Sequence, residues 1–299
     1  MKMLILGAGF SGKAIARACA PAFGDVIGTT RSPENFPALE KPGIRPLVFD
    51  GTVLGEALKA ELGTVTHLVQ SISPNADGDP FLSLVGDLAS IMPSLAWIGY
   101  LSTIGVYGNH DGAWVDETAA PTPLSRRSRE RVAAEDAWRE AGTTAQVPIA
   151  LLRLSGIYGP GRNAFVNLMR GTARRLIKKD QVFNRIRAED IGRATAFLIE
   201  RGLGGIYNVT DSNPSPSQDV VARAAELMGV PVPPDIPFED AELSPMARSF
   251  YAENKRVSNG ALRDLGFEFA YPDYEISLRQ MWDENCWEGD RYPAIESPL

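Results

Sequence analysis

The chain has 299 residues, of which 44% are hydrophobic and 22% charged, and its formal net charge is −7. This hydrophobic content can bury a large core, which excludes disorder as the main state. The negative charge argues against nucleic acid or an anionic membrane surface as the main partner. No apolar run reaches the length of a membrane span, about 18 residues. We therefore expect no membrane partner and a cytoplasmic location.

Cysteine and histidine are scarce in the chain. The cysteines are Cys19 and Cys286, far apart in sequence, and the histidines are His67 and His110. This usage suits a reducing compartment, gives no disulfide framework and argues against a structural zinc site. We expect no metal centre.

Apolar runs alternate with helical patterns through the first two thirds of the chain. The predicted strands are residues 3–6, 25–30, 45–49, 67–72, 95–102, 148–154 and 206–210. The predicted helices between the earlier strands are residues 13–19, 53–61, 80–92 and 126–140. Strands that alternate with helices form parallel sheets covered on both faces. The sequence therefore predicts an α/β fold, a doubly wound parallel sheet of the Rossmann type.

The first predicted strand leads directly into three glycines in the spacing G-x-G-x-x-G. The first glycine permits a tight turn, the second lets the backbone approach a pyrophosphate, and the third lets helix and strand pack closely. The N–H groups and the dipole of the following helix would face the phosphates. We predict that Gly7, Gly9, Phe10, Ser11 and Gly12 bind a nicotinamide dinucleotide.

Thr30, Arg31 and Ser32 follow the second predicted strand. An NAD-selective site usually has an Asp or Glu about 20 residues past the fingerprint, for the ribose 2′-hydroxyl, and no carboxylate occupies that place here. Because a guanidinium pairs bidentately with phosphate oxygens, Arg31 between two hydroxyl side chains suits a 2′-phosphate. We expect NADP(H) in preference to NAD(H); the alternative is that Arg31 is simply exposed.

Ligands of doubly wound sheets bind beyond the carboxyl ends of the strands. Asp50 would lie on the adenine side, and the residues after the fourth strand would lie where the cofactor crosses the sheet. The further predicted cofactor residues on this ground are Asp50, Gln70, Ser71, Ile72, Ser102 and Ser155.

Several stretches occur in the order typical of one superfamily. Besides the glycine fingerprint they are Ser102-Thr103 before Val106-Tyr107-Gly108, Tyr158-Gly159-Pro160-Gly161-Arg162, Arg187-Ala188-Glu189-Asp190-Ile191 and Gly205-Ile206-Tyr207-Asn208-Val209. Together they resemble the short-chain dehydrogenase/reductase superfamily in its extended form, the NAD(P)-dependent epimerase/dehydratase type.

The resemblance implies a Rossmann domain that binds the nucleotide and a smaller, mostly helical C-terminal part that covers the substrate. We assign residues 1–162 and 180–210 to the first, and residues 163–179 and 211–299 to the second. Prolines between residues 231 and 237 predict an extended segment within the second part.

The chain departs from this superfamily at the reaction centre. In the superfamily, this centre consists of a Ser or Thr after the fifth strand and of a Tyr and a Lys on the next helix. Thr103 fits the first position, but Arg127 and Arg131 stand where the Tyr and the Lys belong. Arginine stays protonated near neutral pH, so Arg127 cannot act as general acid or base. The chain therefore resembles atypical members that lack the Tyr-Lys pair.

The catalytic candidates are Thr103, Tyr107 and Arg131. Tyr107 is the preferred substitute proton donor, and its alternative role is packing within its loop. Arg131 could still hold the ribose hydroxyls or a phosphate.

A helix is predicted over residues 165–178. If the resemblance holds, Arg162, Asn163, Arg185 and Arg187 face the substrate, and their guanidiniums favour an anionic compound. Salt bridging at the surface is the alternative role for these arginines.

Two functions follow from these features. The first is an NAD(P)-dependent oxidoreductase or epimerase-like enzyme that acts on a small, anionic, carbonyl or sugar-like substrate. The second is a dinucleotide-binding protein whose catalysis has lapsed and which reports the cofactor state to a partner. A homodimer is a further expectation at the level of the superfamily.

Overall fold

The computed structural model describes residues 1–289. The last ten positions of the predicted second part, 290–299, lie outside the described residues. The chain divides into two compact units. The first unit comprises residues 1–106, 123–154 and 191–209, and the second comprises 107–122, 155–190 and the chain from 210 onwards. Residues 107–122, 155–162, 180–190 and 210, which the sequence assigned to the nucleotide domain, lie in the second unit.

The strands within the described residues are β1 Lys2–Leu6, β2 Asp25–Thr30, β3 Arg45–Val48, β4 His67–Gln70, β5 Trp97–Thr103, β6 Trp114–Val115, β7 Ile149–Leu154, β8 Gly156–Tyr158, β9 Arg175–Ile177, β10 Arg185–Arg187, β11 Gly205–Val209, β12 Asp235–Pro237 and β13 Arg256–Val257. The α-helices there are α1 Phe10–Cys19, α2 Phe36–Glu40, α3 Glu56–Leu62, α4 Leu82–Val85, α5 Leu88–Ile91, α6 Arg126–Ala145, α7 Ala164–Met169, α8 Ala188–Glu200, α9 Ser217–Met228, α10 Pro245–Phe250, α11 Gly260–Asp264 and α12 Tyr274–Asp283.

The first unit contains one seven-stranded parallel sheet in the order β11-β7-β5-β4-β1-β2-β3. The chain builds outward from β1 to β3, returns to β4 on the other side of β1, and then builds outward to β11. The order therefore reverses between β1 and β4, which is the place where ligands of such sheets bind. This confirms the predicted doubly wound α/β fold.

Aromatic side chains fill the core between the sheet and α6. The Trp138 ring lies 6.4 Å from the Phe81 ring and 6.2 Å from the Tyr100 ring, measured between centroids. All three side chains are fully buried. Because large aromatic residues contribute most to core energetics, this cluster fixes α6 against β5, at whose end the predicted reaction centre lies.

Small helices and short strand pairs make up the described part of the second unit. Parallel pairs join β8 to β10, β9 to β12 and β6 to β13. The apolar core of the unit contains Phe165 from α7, Leu278 from α12 and Trp287. No helix in residues 1–289 combines the length and apolar character needed to cross a membrane.

Two predicted helices were wrong in extent, and glycine explains both. Residues 80–92 form the short helices α4 and α5, separated at Gly86, which has φ +63°. The predicted helix 165–178 ends at Met169, before Gly171 with φ +66°, and the chain continues into β9. Glycine adopts positive φ at little cost, so it ends helices readily. The extended proline segment is confirmed, because its end forms β12.

Candidate cofactor and active site

The turn between β1 and α1 depends on contacts that glycine alone permits. Gly7 has φ +78°, and a Cβ there would lie 2.9 Å from the Ile72 side chain. The Gly7 N–H donates to Thr29 Oγ1 at 2.8 Å, which anchors the turn to β2. A Cβ on Gly12 would lie 3.1 Å from the side chain of Ile5, so this glycine lets α1 lie close on β1.

Gly9 presents an open backbone at the start of α1. It is exposed, and the nearest atom to an added Cβ would be the Gly7 carbonyl oxygen at 3.9 Å. No side chain caps the helix at Gly9, and its first turn contains no acidic residue. The first N–H groups of an α-helix have no partner within the helix, and together with the helix dipole they suit a phosphate. The predicted segment from Gly7 through Phe10 and Ser11 to Gly12 therefore fits a dinucleotide pyrophosphate.

The loop after β2 contains the predicted 2′-phosphate residues together with a carboxylate. Thr30 is half-buried and Arg31 is exposed. The Ser32 Oγ accepts a hydrogen bond from the Glu34 N–H at 3.3 Å, and the Ser32 hydroxyl donates to the Glu34 carboxylate. The fingerprint spacing did not indicate Glu34, because a short 3₁₀ helix, Pro33–Asn35, turns the chain back at this point.

Asp50, which follows β3, is engaged within its own turn. It accepts hydrogen bonds from the Thr52 hydroxyl at 2.7 Å and from the Thr52 N–H at 2.8 Å. These bonds hold the pKa of Asp50 below its usual value. The side chain is exposed, so it stays ionised; its place on the adenine side stays a prediction.

Gln70 is buried at the end of β4, and its amide is used internally. Its Oε1 accepts from the Ile72 N–H at 2.9 Å, and its Nε2 donates to both carboxylate oxygens of Asp79 at 3.0 and 2.9 Å. Asp79 also accepts from Trp138 Nε1 of α6 at 3.0 Å. Gln70 thus fixes the turn that contains Ser71 and Ile72, rather than presenting its own amide to a ligand.

Ser102 is committed to a buried ionic network. Its hydroxyl donates to Glu135 Oε1 at 2.5 Å. Glu135 on α6 also pairs with Arg153 on β7, with 2.7 Å between Nη2 and Oε2, and these two side chains are 1% and 2% exposed. A buried ion pair persists only when its geometry offsets the cost of desolvation. The Ser102 hydroxyl is therefore engaged in the core beneath the site, and its role as a cofactor contact stays a prediction.

Thr103 ends β5 and is half-buried. Its Oγ1 accepts a hydrogen bond from the Gly105 N–H at 3.1 Å. Ser128, in the first turns of α6, brings a second hydroxyl to this point. A Cβ on Gly105 would lie 3.0 Å from Ser128 Oγ and 3.4 Å from Thr103 Oγ1.

Arg131 lies across the carboxyl ends of β4 and β5. Its Nη1 donates to the Leu101 carbonyl at 2.5 Å and lies 3.3 Å from Tyr100 Oη. Its Nη2 donates to Ser73 Oγ at 3.0 Å. Burial raises the pKa of Tyr100 to about 12, so this phenol stays neutral. Arg127, one turn earlier on α6, is exposed.

Tyr107 belongs to the second unit and is fully buried. This burial favours packing within the loop over its predicted role as proton donor. Sequence reasoning missed Lys255, whose Nζ donates to the Gly108 carbonyl at 2.6 Å and pairs with Glu253 at 2.5 Å. Burial lowers the pKa of Lys255, against the opposing effect of Glu253. No local pattern could reveal this contact, because 147 residues separate Lys255 from Gly108.

The predicted substrate arginines make internal contacts in the second unit. Arg187 is fully buried; its Nη2 lies 2.9 Å from a Glu189 oxygen, and its Nη1 donates to Ser277 Oγ at 3.0 Å. Arg185 Nη1 donates to Ser215 Oγ at 2.8 Å, and burial lowers the pKa of this guanidinium. The charge of Arg187 is therefore paired with Glu189 within the unit, and its contact with substrate stays a prediction.

Asn163 also makes internal contacts. It caps α7, and its Nδ2 donates to the carbonyls of Gly159 at 2.9 Å and Trp287 at 2.7 Å. The Asn163 amide is thus hydrogen-bonded within the unit at both its oxygen and its nitrogen, and its contact with substrate stays a prediction. Arg162 is exposed, and Ser155 is buried.

Asp211, two residues after the end of β11, is a buried acid that sequence reasoning missed. Its Oδ1 accepts from the Asn213 N–H at 3.2 Å, whereas its Oδ2 has no hydrogen-bond partner among the described residues. Burial raises the pKa of Asp211 to about 8, although the charge of Arg185 opposes this. Residues 1–289 contain no group of three or more Asp, Glu, His or Cys side chains placed to hold a metal ion.

The chain is similar to several known proteins. A functionally unknown conserved protein from Silicibacter pomeroyi is 43% identical, with a TM-score of 0.85 over 95% of this chain and 99% of its own. The 2′-dehydrokanamycin reductase of Streptomyces kanamyceticus is 25% identical over 267 residues, which is 84% of this chain and 73% of the reductase. The dTDP-glucose 4,6-dehydratase of Bacillus anthracis, solved in complex with NAD, is 18% identical, with a TM-score of 0.74 over 95% of this chain and 97% of its own. No family model matches the chain.

These likenesses confirm the predicted resemblance: the fold is that of the extended short-chain dehydrogenase/reductases, the type that includes NAD-dependent epimerases and dehydratases. Within that class, the chain belongs to the same family as the Silicibacter pomeroyi protein.

Proposed function

We propose that the chain is an NAD(P)-dependent oxidoreductase or epimerase/dehydratase-like enzyme that acts on a small carbonyl or sugar-like substrate. The observation that carries this proposal is the open glycine turn at Gly9, which leads into an uncapped helix beside the point where the strand order reverses. The similarity to the 2′-dehydrokanamycin reductase and to the NAD-bound dehydratase supports the same class of reaction.

The chain's own residues suit a nicotinamide nucleotide along one edge of the first sheet. The glycine turn would hold the pyrophosphate, the loop of Arg31 the adenosine ribose, and the turn of Ser71 and Ile72 the middle of the molecule. A bound nicotinamide supplies hydride chemistry. Arg131 would hold the ribose hydroxyls, a role supported by its fixed position at the ends of two strands.

NADP(H) is the form that Arg31 favours, since a guanidinium can pair with the 2′-phosphate. Glu34 in the same loop opposes a phosphate and suits a ribose hydroxyl instead. The preference of the site for NADP(H) over NAD(H) is therefore a balance between these two side chains.

Thr103 is the hydroxyl that would meet the substrate oxygen. The Gly105 N–H holds one lone pair of Thr103 Oγ1, which leaves the hydroxyl proton to donate. The proposal includes an anionic substrate, because the guanidinium of Arg162 is exposed and could pair with it. The full burial of Tyr107 favours the second candidate, a nucleotide-binding protein without catalysis, because it removes the preferred proton donor.

Binding of NADPH and NADH, followed by nicotinamide fluorescence, tests the proposal on wild type and on Gly9→Ala. The added methyl has space in the protein alone, where the nearest atom is 3.9 Å away, but it would project where the pyrophosphate must approach. We expect the variant to unfold at the wild-type temperature and to lose nucleotide affinity by more than tenfold. Gly24→Ala, also at an open position, is the matched control.

Wild type that binds neither nucleotide would contradict both candidate functions. Turnover of NADPH with a panel of ketones and aldehydes then separates the enzyme from the cofactor sensor.

A further inference from the structure

Two hydroxyl groups meet at Gly105, one from the end of β5 and one from α6. The ideal Cβ position of Gly105 lies 3.4 Å from Thr103 Oγ1 and 3.0 Å from Ser128 Oγ. Gly105 has no side chain, so no Cβ stands between these two hydroxyls. Thr103 and Gly105 are half-buried, whereas Ser128 is 7% exposed.

The oxygen of each hydroxyl already accepts one hydrogen bond from the protein. Thr103 Oγ1 accepts from the Gly105 N–H at 3.1 Å. Ser128 Oγ accepts from the Ser125 hydroxyl at 2.9 Å, and the Ser128 N–H in turn donates to Ser125 Oγ at 3.0 Å. Among the described residues, neither the Thr103 nor the Ser128 hydroxyl proton has an acceptor. Both protons are therefore available to one atom placed over Gly105.

We propose that Thr103 and Ser128 form a two-donor site for the carbonyl oxygen of the substrate, with Ser128 as a second catalytic hydroxyl. This proposal rests on the proposed function. As the carbonyl carbon is reduced by the nicotinamide nucleotide, the electron pair of the C=O double bond moves to the oxygen, and a proton from solvent completes the product hydroxyl. Two fixed O–H donors stabilise the charge that develops on that oxygen.

The hydroxyl that would replace the absent tyrosine comes from a neighbouring position of α6 and not from the aligned one. Arg127 occupies the position of the absent tyrosine, but its side chain is exposed. Ser128, the next residue, is the one that α6 turns towards Thr103. An arginine stays protonated and cannot give up a proton as an acid. A Ser or Thr hydroxyl does not need to give up its proton here, because it stabilises an oxyanion by donating a hydrogen bond.

Ser128→Ala, Ser128→Thr and Ser94→Ala test the proposal with three readouts. These are nucleotide binding by nicotinamide fluorescence, kcat and KM for the ketone that the wild type reduces fastest, and the carbonyl stretching frequency of that ketone, ¹³C-labelled, bound with NADP⁺. We expect Ser128→Ala to bind nucleotide normally and to lose about 100-fold in kcat, with little change in KM. Its carbonyl band should move towards the frequency in water-free solvent, and Ser128→Thr should restore both readouts.

Ser94→Ala makes the same chemical change at an exposed position and should match wild type. Gly105→Ala is a second variant in case Ser128→Ala does not fold, because its methyl would stand between the hydroxyls and should also shift the carbonyl band. Wild-type kcat and an unshifted band in Ser128→Ala would overturn the role of Ser128 while leaving the reductase intact. Nucleotide binding without reduction of any carbonyl would overturn the enzyme and this site together, and failure to bind nucleotide would overturn the cofactor assignment itself.

Discussion

Single residues in this chain show how burial changes the chemistry of a side chain. Asp211 is the clearest case, because its carboxyl is fully buried and one of its oxygens has no hydrogen-bond partner among residues 1–289. Arg185 and Asp273 are the charged groups that act on it most, with opposite effects. Desolvation outweighs the attraction to Arg185, so the neutral acid is the form that the fold favours.

Asp211 should therefore make the protein less stable as the pH rises. Its pKa is raised from 3.8 to about 8 in the folded state, so between these values the unfolded chain has lost a proton that the folded chain keeps. Stability contributed by this group is complete below the lower value and falls towards pH 8, by about 1.4 kcal/mol per unit at most. Asp211→Asn should remove this dependence and be the more stable protein at pH 8.

Urea denaturation at pH 5 and pH 8 measures the effect. Asp264→Asn, an exposed acid on α11, is the control and should keep the wild-type pH dependence. If the free energies of wild type and Asp211→Asn changed in parallel with pH, Asp211 would not be protonated in the fold.

Glu34 gives a second prediction at this scale. Its carboxylate accepts a hydrogen bond from Ser32, in the loop that carries Arg31. Glu34→Gln removes a charge that repels a 2′-phosphate and should improve NADPH affinity a few-fold relative to NADH, while Arg31→Ala should change the ratio in the opposite direction. Paired fluorescence titrations with both nucleotides measure the ratio; an unchanged ratio in both variants would exclude this loop from cofactor selection.

At the scale of elements, a buried ion pair joins helix α6 to strand β7. Glu135 and Arg153 are almost completely buried, and Ser102 adds a third member from β5. Such a pair contributes little net stability compared with apolar residues, but removing one partner leaves the other charge uncompensated.

Glu135→Leu should therefore destabilise the protein by about 3–5 kcal/mol. The double variant Glu135→Leu with Arg153→Met should recover much of that loss, because no charge is left buried. Thermal and urea unfolding of the four proteins in this cycle give the coupling energy. Additive losses would show that the two side chains act independently.

The sequence predicted elements well where the signal was local. Periodicity and the glycine spacing identified the seven sheet strands and the turn at Gly7. The helix over 165–178 failed because Gly171 adopts positive φ, which sequence alone does not reveal. The sequence could not predict contacts such as that of Lys255 with Gly108, because they arise only when distant segments fold together.

For the candidate site, the sequence likewise predicted local features better than contacts that depend on folding. Backbone roles at Gly7, Gly9 and Gly12 follow from spacing, since φ and the absence of a Cβ decide them. Roles of polar side chains do not, because Gln70 and Ser102 have the right positions but direct their polar groups inward. Which face of α6 meets Thr103 also depended on packing, and only the structure selected Ser128 over Arg127.

For the whole molecule, nucleotide binding should stabilise the two compact units unequally. A ligand that binds only the folded state adds about 2.7 kcal/mol at 100 times its Kd. The proposed contacts all lie in the first unit, so hydrogen exchange with saturating NADPH should slow in the peptides around residues 7–12, 30–34 and 71–73. Peptides around Asn163 should change less. Equal protection in both units would mean that the nucleotide contacts are placed wrongly.

Each compact unit is assembled from three separate stretches of the chain, which passes from one to the other five times up to residue 210. The last strand of the seven-stranded sheet, β11, ends at Val209. During synthesis, the growing polypeptide thus cannot complete its nucleotide-binding sheet until residue 209 has left the ribosome. A stop codon between β7 and β11 would leave β7 without its neighbouring strand, and the fragment would expose an edge prone to aggregate rather than form a smaller working domain.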